Sequence, residues 1–519
     1  MKRIERTSTE GDMSILNSDT QCSDTVGSSI ASGDGLESRM GRLINGGHSL
    51  LAILYVIFYF ICERLSGMVY GPALIAERLF KWSKLVYAAP TIALISASAL
   101  TTYGAAHGMA LAADYGPLAL FAAALMWLIL LAVVSFSYFT MTAQLPSLDA
   151  IQARVEKAWP QRWYARHLAK PVDAHYILII IANSLVMWPA LAALLWPGGS
   201  AVCGVVYYVI ALMTISRSHE ELDHNDIHNH FFNVRHMKPG AAKVVVWLTG
   251  KYLRLILNPL CSRIPHFYRV HHVYMHHVEN NSINDLQTTA YLDRTSFIDF
   301  CTHSLRLAIS NSFGVDLYRY LDERGAKKHT RLLLLGLGGW FLGIALIAVY
   351  SPFAAVIILL VHFLGAVPGA ISTYIWHGFI DNAHCDDVYR NTINAVSPPG
   401  TAVFGSLHLR HHLKGGEHWT RQYQLSQEDK DKCERNGALL LRPMRGPLLL
   451  RALWTGSFDL IADYVVSIGA EPKDKERTSA LLKERTRPLV VRPRSPAWQR
   501  LDQTLGGVVS RYVMLGAGD

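Results

Sequence analysis

The sequence predicts an all-α, polytopic membrane helix bundle, and three observations carry that reading. Hydrophobic residues make up 51% of the chain and charged ones only 17%, against about a quarter charged in soluble domains, and the mean hydropathy is positive at +0.19. The apolar residues gather into runs long enough to cross ~30 Å of hydrocarbon as helices. Three histidine clusters lie just outside those runs, in segments that share an excess of Lys and Arg.

In chain order, residues 1–46 are rich in Ser, Gly, Thr and Asp without periodicity, which predicts a disordered tail. They lack the short basic start followed directly by an apolar core that marks a secretory signal. Residues 47–174 hold N-terminal membrane segments and a cytosolic linker. Their first apolar run, 48–62, is short enough either to span or to lie in the interface. The runs 86–111 and 116–139 form a hairpin, and a polar stretch follows. Residues 175–420 form a membrane and histidine-box domain. It contains the pair 175–196 and 201–215, joined by Pro197-Gly198-Gly199-Ser200, and the pair 332–350 and 352–376. The apolar stretch 243–258 is interrupted by Lys251 and Arg254, so it is expected along the interface rather than across it. Residues 421–519 read as a C-terminal cytosolic extension. Its arginines between Arg485 and Arg494 are candidates to meet anionic headgroups.

Charge sets the expected orientation. Segments 63–85, 140–174, 216–330 and 377–519 are rich in Lys and Arg, whereas the connections at 197–200 and 350–352 carry none. Three hairpins place every basic segment on one face, the cytosolic one by the positive-inside bias. That explains the net charge of +9 without nucleic acid, for which no basic, aromatic-interleaved module is present. Seven scattered cysteines without a CxxC argue against a disulfide framework, a thiolate zinc site or an iron–sulfur cluster.

The histidines carry the chemistry. The first cluster runs His219-Glu220-Glu221-Leu222-Asp223-His224-Asn225-Asp226-Ile227-His228. The second is His271-His272-Val273-Tyr274-Met275-His276-His277, and the third His408-Leu409-Arg410-His411-His412. On a regular helix, residues three and four apart share a face. His224 then points with His228, His272 with His276, and His408 with His411 and His412. Neutral imidazole ligates iron, copper, nickel and zinc. A tetrahedral zinc site needs about four ligands, so eight or nine imidazoles point to two metal ions.

The order HxxxH, HxxxHH, two apolar runs, HxxHH resembles the membrane fatty-acid desaturase and hydroxylase superfamily, over roughly residues 175–420. The resemblance implies a helix bundle under a cytosolic helical cap, with two iron ions held by histidines and dioxygen as cosubstrate. Carried onto this chain, the ligands are His224, His228, His272, His276, His277, His408, His411 and His412. His377, just after the last run, is the ninth, with His384 its competitor. His219 competes with His228, because the family uses both spacings. His228 is preferred for its acidic-then-aromatic context, ending in Phe231-Phe232. His271 is expected to face away, and His230 and His418 to be polar neighbours. His107, His175 and His303 read as interfacial anchors, and His362 as a hydrogen-bonding group within a run. Asp285, Asp293, Asp386 and Asp387 are candidates to orient ligand rings, or solvated loop acids. Asn280 and Asn281 would end the second box's helix.

The implied function is an oxygen-dependent oxidoreductase that introduces a double bond into a fatty acyl or related lipid chain. The alternative is a hydroxylase or ketolase acting on lipids, alkanes or carotenoids through the same boxes. A divalent-metal transporter is disfavoured, because transporters hold ions near the bilayer midplane. Phe363, Gly365 and Gly369 are candidates to line a substrate tunnel, or simple helix packing. With no His-Pro-Gly-Gly, dinucleotide or ferredoxin signature in the chain, a separate electron donor of cytochrome b5 or ferredoxin type is implied. The expected location is the endoplasmic reticulum or a bacterial inner membrane, with the boxes facing the cytosol.

Overall fold

The computed structural model describes residues 49–64, 147–196, 201–214, 218–395, 407–469, 474–490 and 494–516, together with Tyr138, Met141 and Thr142. The expected tail 1–46 and the expected hairpin of 86–111 and 116–139 (Tyr138 apart) lie outside the described residues. The short run near residue 48 is a helix, α1 (49–64). Its Ala52, Ile53, Val56, Tyr59 and Phe60 are buried, while Leu50, Leu51, Leu54 and Ile61 face outward. Tyr55 donates to the Phe363 carbonyl, which ties α1 to the last membrane-length helix.

The bundle itself is built from α2 (His175–Leu195), α3 (Ala201–Thr214), α4 (Glu220–Asn229), α5 (Ala241–Tyr252), α6 (Phe267–His271), α7 (Phe297–Phe313), α8 (Lys327–Tyr350), α9 (Pro352–Leu364) and α10 (Ala366–Trp376). Among the described residues three stretches are long and apolar enough to cross a membrane: Pro171–Leu195, Lys327–Tyr350 and Pro352–Trp376. α3, at 14 residues, reaches only ~21 Å at 1.5 Å per residue and falls short of a full crossing. α8 shows how such a helix meets its surroundings. Leu333, Trp340 and Ile344 are buried, whereas Leu335, Leu342 and Val349 stand 62–88% exposed, the outward apolar face expected of a helix solvated by lipid.

The 243–258 stretch is helical, as α5 continued by a π turn (Leu253–Leu257) and Asn258–Leu260. One side, with Val246, Leu253 and Leu257, is buried; the other exposes Val244, Trp247, Leu248, Leu255 and Ile256. Of the two charges that interrupt it, Arg254 forks onto Asp226, with Nε and Nη2 at 2.7 and 3.0 Å from the two carboxylate oxygens. The chain then turns through residues 261–266 between the helices. Ser262 (φ 57°) and His266 (φ 63°) bracket this loop in the left-handed region, and such strain persists only where the surroundings hold it.

The loop rests directly on α8. A Cβ at Gly336 would overlap the Pro265 carbonyl oxygen, and backbone cannot yield as a flexible side chain can. Gly336→Ala is therefore expected to destabilise the protein by about 2 kcal/mol or more, visible as a lower melting temperature in detergent.

Two further elements close the fold on the side of the clusters. A small sheet, absent from the all-α expectation, pairs β1 (Ile393–Ala395) parallel to β2 (Leu439–Leu441), and β2 antiparallel to β3 (Val465–Ile468). Between β1 and β2 in the chain, the short helix α11 (His408–Leu413) carries the third box. The helices α12 (Gly446–Trp454) and α13 (Pro496–Gly516) pack on each other, α12 also on α10 and α13 on α7. The described residues beyond 421 are thus built into the body of the molecule. Of the arginines considered for headgroups, Arg485 is buried and Arg494 pairs with Asp299.

The fastening between the two parts is Arg294, fully buried. Its Nη1 donates to the carbonyls of Thr289, Ala290 and Leu292, and its Nη2 to those of Arg485 and Arg487, at 2.7–3.2 Å. Leu489 N–H returns a bond to the Ala290 carbonyl at 2.9 Å.

Candidate metal centre

The nine nominated histidines converge on one buried region from four parts of the chain. α4 supplies His224 and His228, one turn apart with ring centroids 5.0 Å from each other. Two acids of α4 anchor the helix elsewhere: Asp226 to Arg254, as above, and Asp223 to Asn258 Nδ2 at 2.9 Å. Phe231, just past the helix end, stacks on Tyr176 at 4.7 Å.

The second box departs from the regular helix expected of it. After α6 the backbone makes a π turn over His272–His276, followed by His277–Glu279. The wider turn makes residues five apart neighbours, so His272 Nε2 lies 3.2 Å from His277 Nε2. His272 and His276, expected to point together, divide between two groups. His272 joins His224, His228 and His411; His276 joins His377, His408 and His412. The third box divides in the same way, His408 and His412 on one side and His411 on the other. In each group the ligand atoms lie within 4.8 Å of one another.

His277 extends the first group. His411 Nε2 stands 2.9 Å from His224 Nε2, 2.9 Å from His277 Nε2 and 3.4 Å from His272 Nε2. In the second group, His408 Nε2 is 3.1 Å from His377 Nε2 and 3.0 Å from His412 Nε2. Metal–nitrogen bonds of ~2.1 Å place adjacent ligand atoms roughly 3–4 Å apart, so these separations fit a shared ion. The two groups adjoin, His277 and His412 being 4.6 Å apart between ring centroids.

Proton accounting agrees. His377 donates Nδ1–H to the Asn391 carbonyl at 2.9 Å, His412 to Asn280 Oδ1 at 2.9 Å, and His276 to Asp285 Oδ2 at 2.6 Å. A neutral imidazole has one N–H, so the Nε2 atoms of His377 and His412 are lone pairs aimed into the group. His408 Nε2 carries at most one proton for both of them. In the first group, His228 Nε2 is buried without any hydrogen-bond partner. Lone pairs crowded away from water are costly unless a cation satisfies them. Burial, reinforced by the neighbouring imidazoles, pushes His377 and His411 down to about 3 and His224, His228, His272, His277, His408 and His412 well below the usual range. These rings are neutral at pH 7, the form that ligates.

Asp285 is the support that sequence reasoning could not single out from the other acids. Fully buried, it accepts from His276 and from the N–H groups of Asn281 (3.0 Å) and Gln287 (2.9 Å). Burial alone would raise its carboxyl, but the His276 imidazole and these donors hold it well below the usual carboxylate range. Asp293 and Asp387, by contrast, accept from local N–H groups at Thr295 and Tyr389. Asn280 and Asn281, both at positive φ, end the second box's helix. Asp285→Asn is expected to weaken metal binding ~10–100-fold with the fold retained, measured by metal titration of the purified variant. Tyr268 (hydroxyl 2.9 Å from His224 Nδ1) and Gly415 (where a Cβ would sit 3.0 Å from the His277 ring) also went unnoticed in the sequence. Neither belongs to a spaced motif.

The competing histidines lie elsewhere. His219 is buried beside Asn183, 3.3 Å from its amide. His384, its side chain 51% exposed, pairs with Asp381. His271 lies 4.0 Å from Asp285, His418 bonds Asp173, and His230 ends α4 near Arg269. His107 is outside the described residues. His175 and His303 are buried rather than interfacial, and His362 donates Nδ1–H to the Ser262 carbonyl at 2.7 Å.

A cavity runs from this centre into the bundle. His272, His276, His377 and His408 line one end, and residues 261–264, Gly365 and Gly369 line the remainder. Phe363 is not among its lining residues. Residues 221–442 match the family model described as fatty acid desaturase. This segment belongs to the membrane fatty acid desaturase/hydroxylase superfamily. Neither the curated proteins nor the solved structures give a match to the chain. The desaturase segment contains all nine histidines, Asp285, α7–α10 and two of the three strands. The match over this segment, together with the three membrane-length helices, suggests a membrane oxidoreductase of the desaturase/hydroxylase type.

Proposed function

We propose that the protein is an oxygen-dependent di-iron enzyme that introduces a double bond into a fatty acyl or related lipid chain. The observation that carries this reading is the division of nine imidazoles into adjoining groups of five and four. Four nitrogens would complete a structural zinc site; two neighbouring nitrogen-rich groups suit a pair of redox ions. Bound iron would supply the activation of dioxygen that cleavage of an unactivated C–H bond requires, which acid–base side chains do not provide.

The remaining work falls to this chain's own residues. Asp285, Asn280 and the Asn391 carbonyl fix the orientation of His276, His412 and His377 by holding their Nδ1 protons. Burial keeps the His377 and His412 rings unprotonated, and all three rings are shielded from bulk water. The cavity wall at Gly365 and Gly369 lacks side chains, which leaves width for an extended chain close to His377 and His408. Electrons come from a separate donor of cytochrome b5 or ferredoxin type, on the cytosolic side where the basic segments place the histidines.

Hydroxylation or ketolation through the same groups is the second reading, since the outcome depends on which substrate carbon is nearest the oxidant. Incubating membranes containing the protein with deuterium-labelled lipids and oxygen decides between them. Loss of two hydrogens from the product is expected. Gain of one oxygen atom would assign hydroxylation, and two bound irons per chain are expected in the purified enzyme. A single exchangeable zinc with no oxidised product would refute the proposal.

A further inference from the structure

The two groups of histidines have different surroundings. Of the four ligands that line the inner cavity, His276, His377 and His408 belong to the second group and only His272 to the first. All four histidines of the second group are buried, while His228, His277 and His411 of the first are partly exposed. At the turn after α11 the chain passes over two of these as bare backbone. A Cβ at Gly415 would sit 3.0 Å from His277 Cε1 and 3.2 Å from His228 Cε1, whereas one at Gly416 would meet nothing within 4 Å. Gly415 is partly exposed and Gly416 exposed, so little more than a peptide separates the first group from solvent here.

The turn is set among positive charges. Asp173 accepts from His418 Nε2 and Trp419 Nε1 at 2.9 and 2.8 Å, and Trp419 N–H donates to Asn229 Oδ1, at the end of α4, at 3.3 Å. Beyond α4, His236 donates Nε2–H to the His167 carbonyl at 3.1 Å. Segments 162–173, 229–238 and 414–421 therefore adjoin, and they expose Arg166, Lys170, Arg235, Lys238 and Lys414. Their two acids do little to offset this: Asp173 is buried, and Glu417 pairs with Arg421 at 3.4 Å. One sign of charge around a redox centre just beneath the surface fits a partner that is negatively charged and carries electrons. Electron-transfer pairs use small, transient interfaces, below about 1,200 Å², so a patch around a single turn is enough.

We infer that an acidic haem or iron–sulfur protein docks over the Gly415–Gly416 turn and delivers its electrons to the first group, while the second group serves the substrate cavity. This inference rests on the oxidoreductase reading above and adds to it a docking site and a division of labour between the groups. The carrier gives up one electron per encounter, reducing the ion bound by the first group from ferric to ferrous, with no bond made or broken in the chain. Anionic headgroups would also meet positive charge beside α2. They gain nothing from glycines over the rings, which bring a carrier's cofactor close.

The test uses the full-length, iron-loaded protein in nanodiscs of neutral lipid, with two acidic probes: a soluble cytochrome b5 haem domain and a plant-type ferredoxin. Arg235→Glu/Lys238→Glu reverses charge at the rim, and Gly416→Glu places bulk and negative charge on the turn where a side chain meets open space. Probe binding is titrated, with iron content and melting temperature as controls. Reduction of the bound iron by dithionite, which needs no docking, monitors the centre itself. At least one probe is expected to bind the unmodified protein. Both variants should weaken it at least ~10-fold at about 50 mM salt, a difference that shrinks towards 1 M as the Debye length falls to ~3 Å. Reduction by dithionite should be unchanged, and reduction by the probe should slow in step with its binding. Failure of both probes to bind the unmodified protein, or unchanged probe affinity in either well-folded variant, would overturn the docking site. Loss of binding to phosphatidylserine vesicles in place of the probe would assign the patch to headgroups instead. Binding requires no turnover, so it reports on the docking surface even if product analysis refutes the oxidative chemistry.

Discussion

Replacing His411 with Ala is expected to abolish turnover and to lower bound iron by at least half. His411 is the hub of its group, its Nε2 atom lying 2.9–3.4 Å from those of His224, His272 and His277. Loss of a residue that only orients a ligand costs ~10–100-fold in affinity or activity, so removing the hub should cost more than ~100-fold. His384→Ala is the matched control. It removes another histidine of the desaturase segment, one exposed and paired with Asp381, and should leave both quantities unchanged. Metal analysis together with product formation from labelled lipid checks the pair. Retained iron and activity in His411→Ala would remove the basis of the di-iron proposal.

The largest stability effect is expected at Arg294. Burial pushes its guanidinium down to about 10, so it remains charged at neutral pH, held by five carbonyl oxygens from two distant segments. Arg294→Met keeps most of the volume but strands those carbonyls. A buried acceptor left without a partner costs ~1–3 kcal/mol; partial relaxation of the five puts the expected loss at about 4 kcal/mol. Because Arg485 and Arg487 supply two of the carbonyls, the change should also expose the bond after Arg485 to trypsin; the bond after Arg487 precedes Pro488 and resists it. Limited proteolysis compared with thermal denaturation separates local release of the C-terminal segment from global unfolding.

How much of this was legible beforehand depends on the range of the interaction. The membrane-length helices could be read because apolar runs report directly on burial in lipid, and 332–350 and 352–376 recur as α8 and α9–α10. That these histidines would gather could be read because imidazoles at fixed spacing have few other uses; His377, placed just after the last run, lies in the second group. The π turn was invisible. Periodicity arguments assume 3.6 residues per turn, and one added residue changes the ring directions while leaving the letters HVYMHH unaltered. Asp285 could not be told from Asp293 or Asp387, since only the folded chain brings it under His276. Arg294 looked like one more cytosolic cation, because its partners lie nearly two hundred residues away. The small sheet, with strands of three or four residues, is too brief to leave a pattern of alternation.

The π turn has a consequence for assembly. Because it sends His272 and His277 one way and His276 the other, and α11 divides its histidines likewise, no helix from these two boxes belongs to a single cluster. A shift in the backbone register of either box would therefore displace rings of both groups at once.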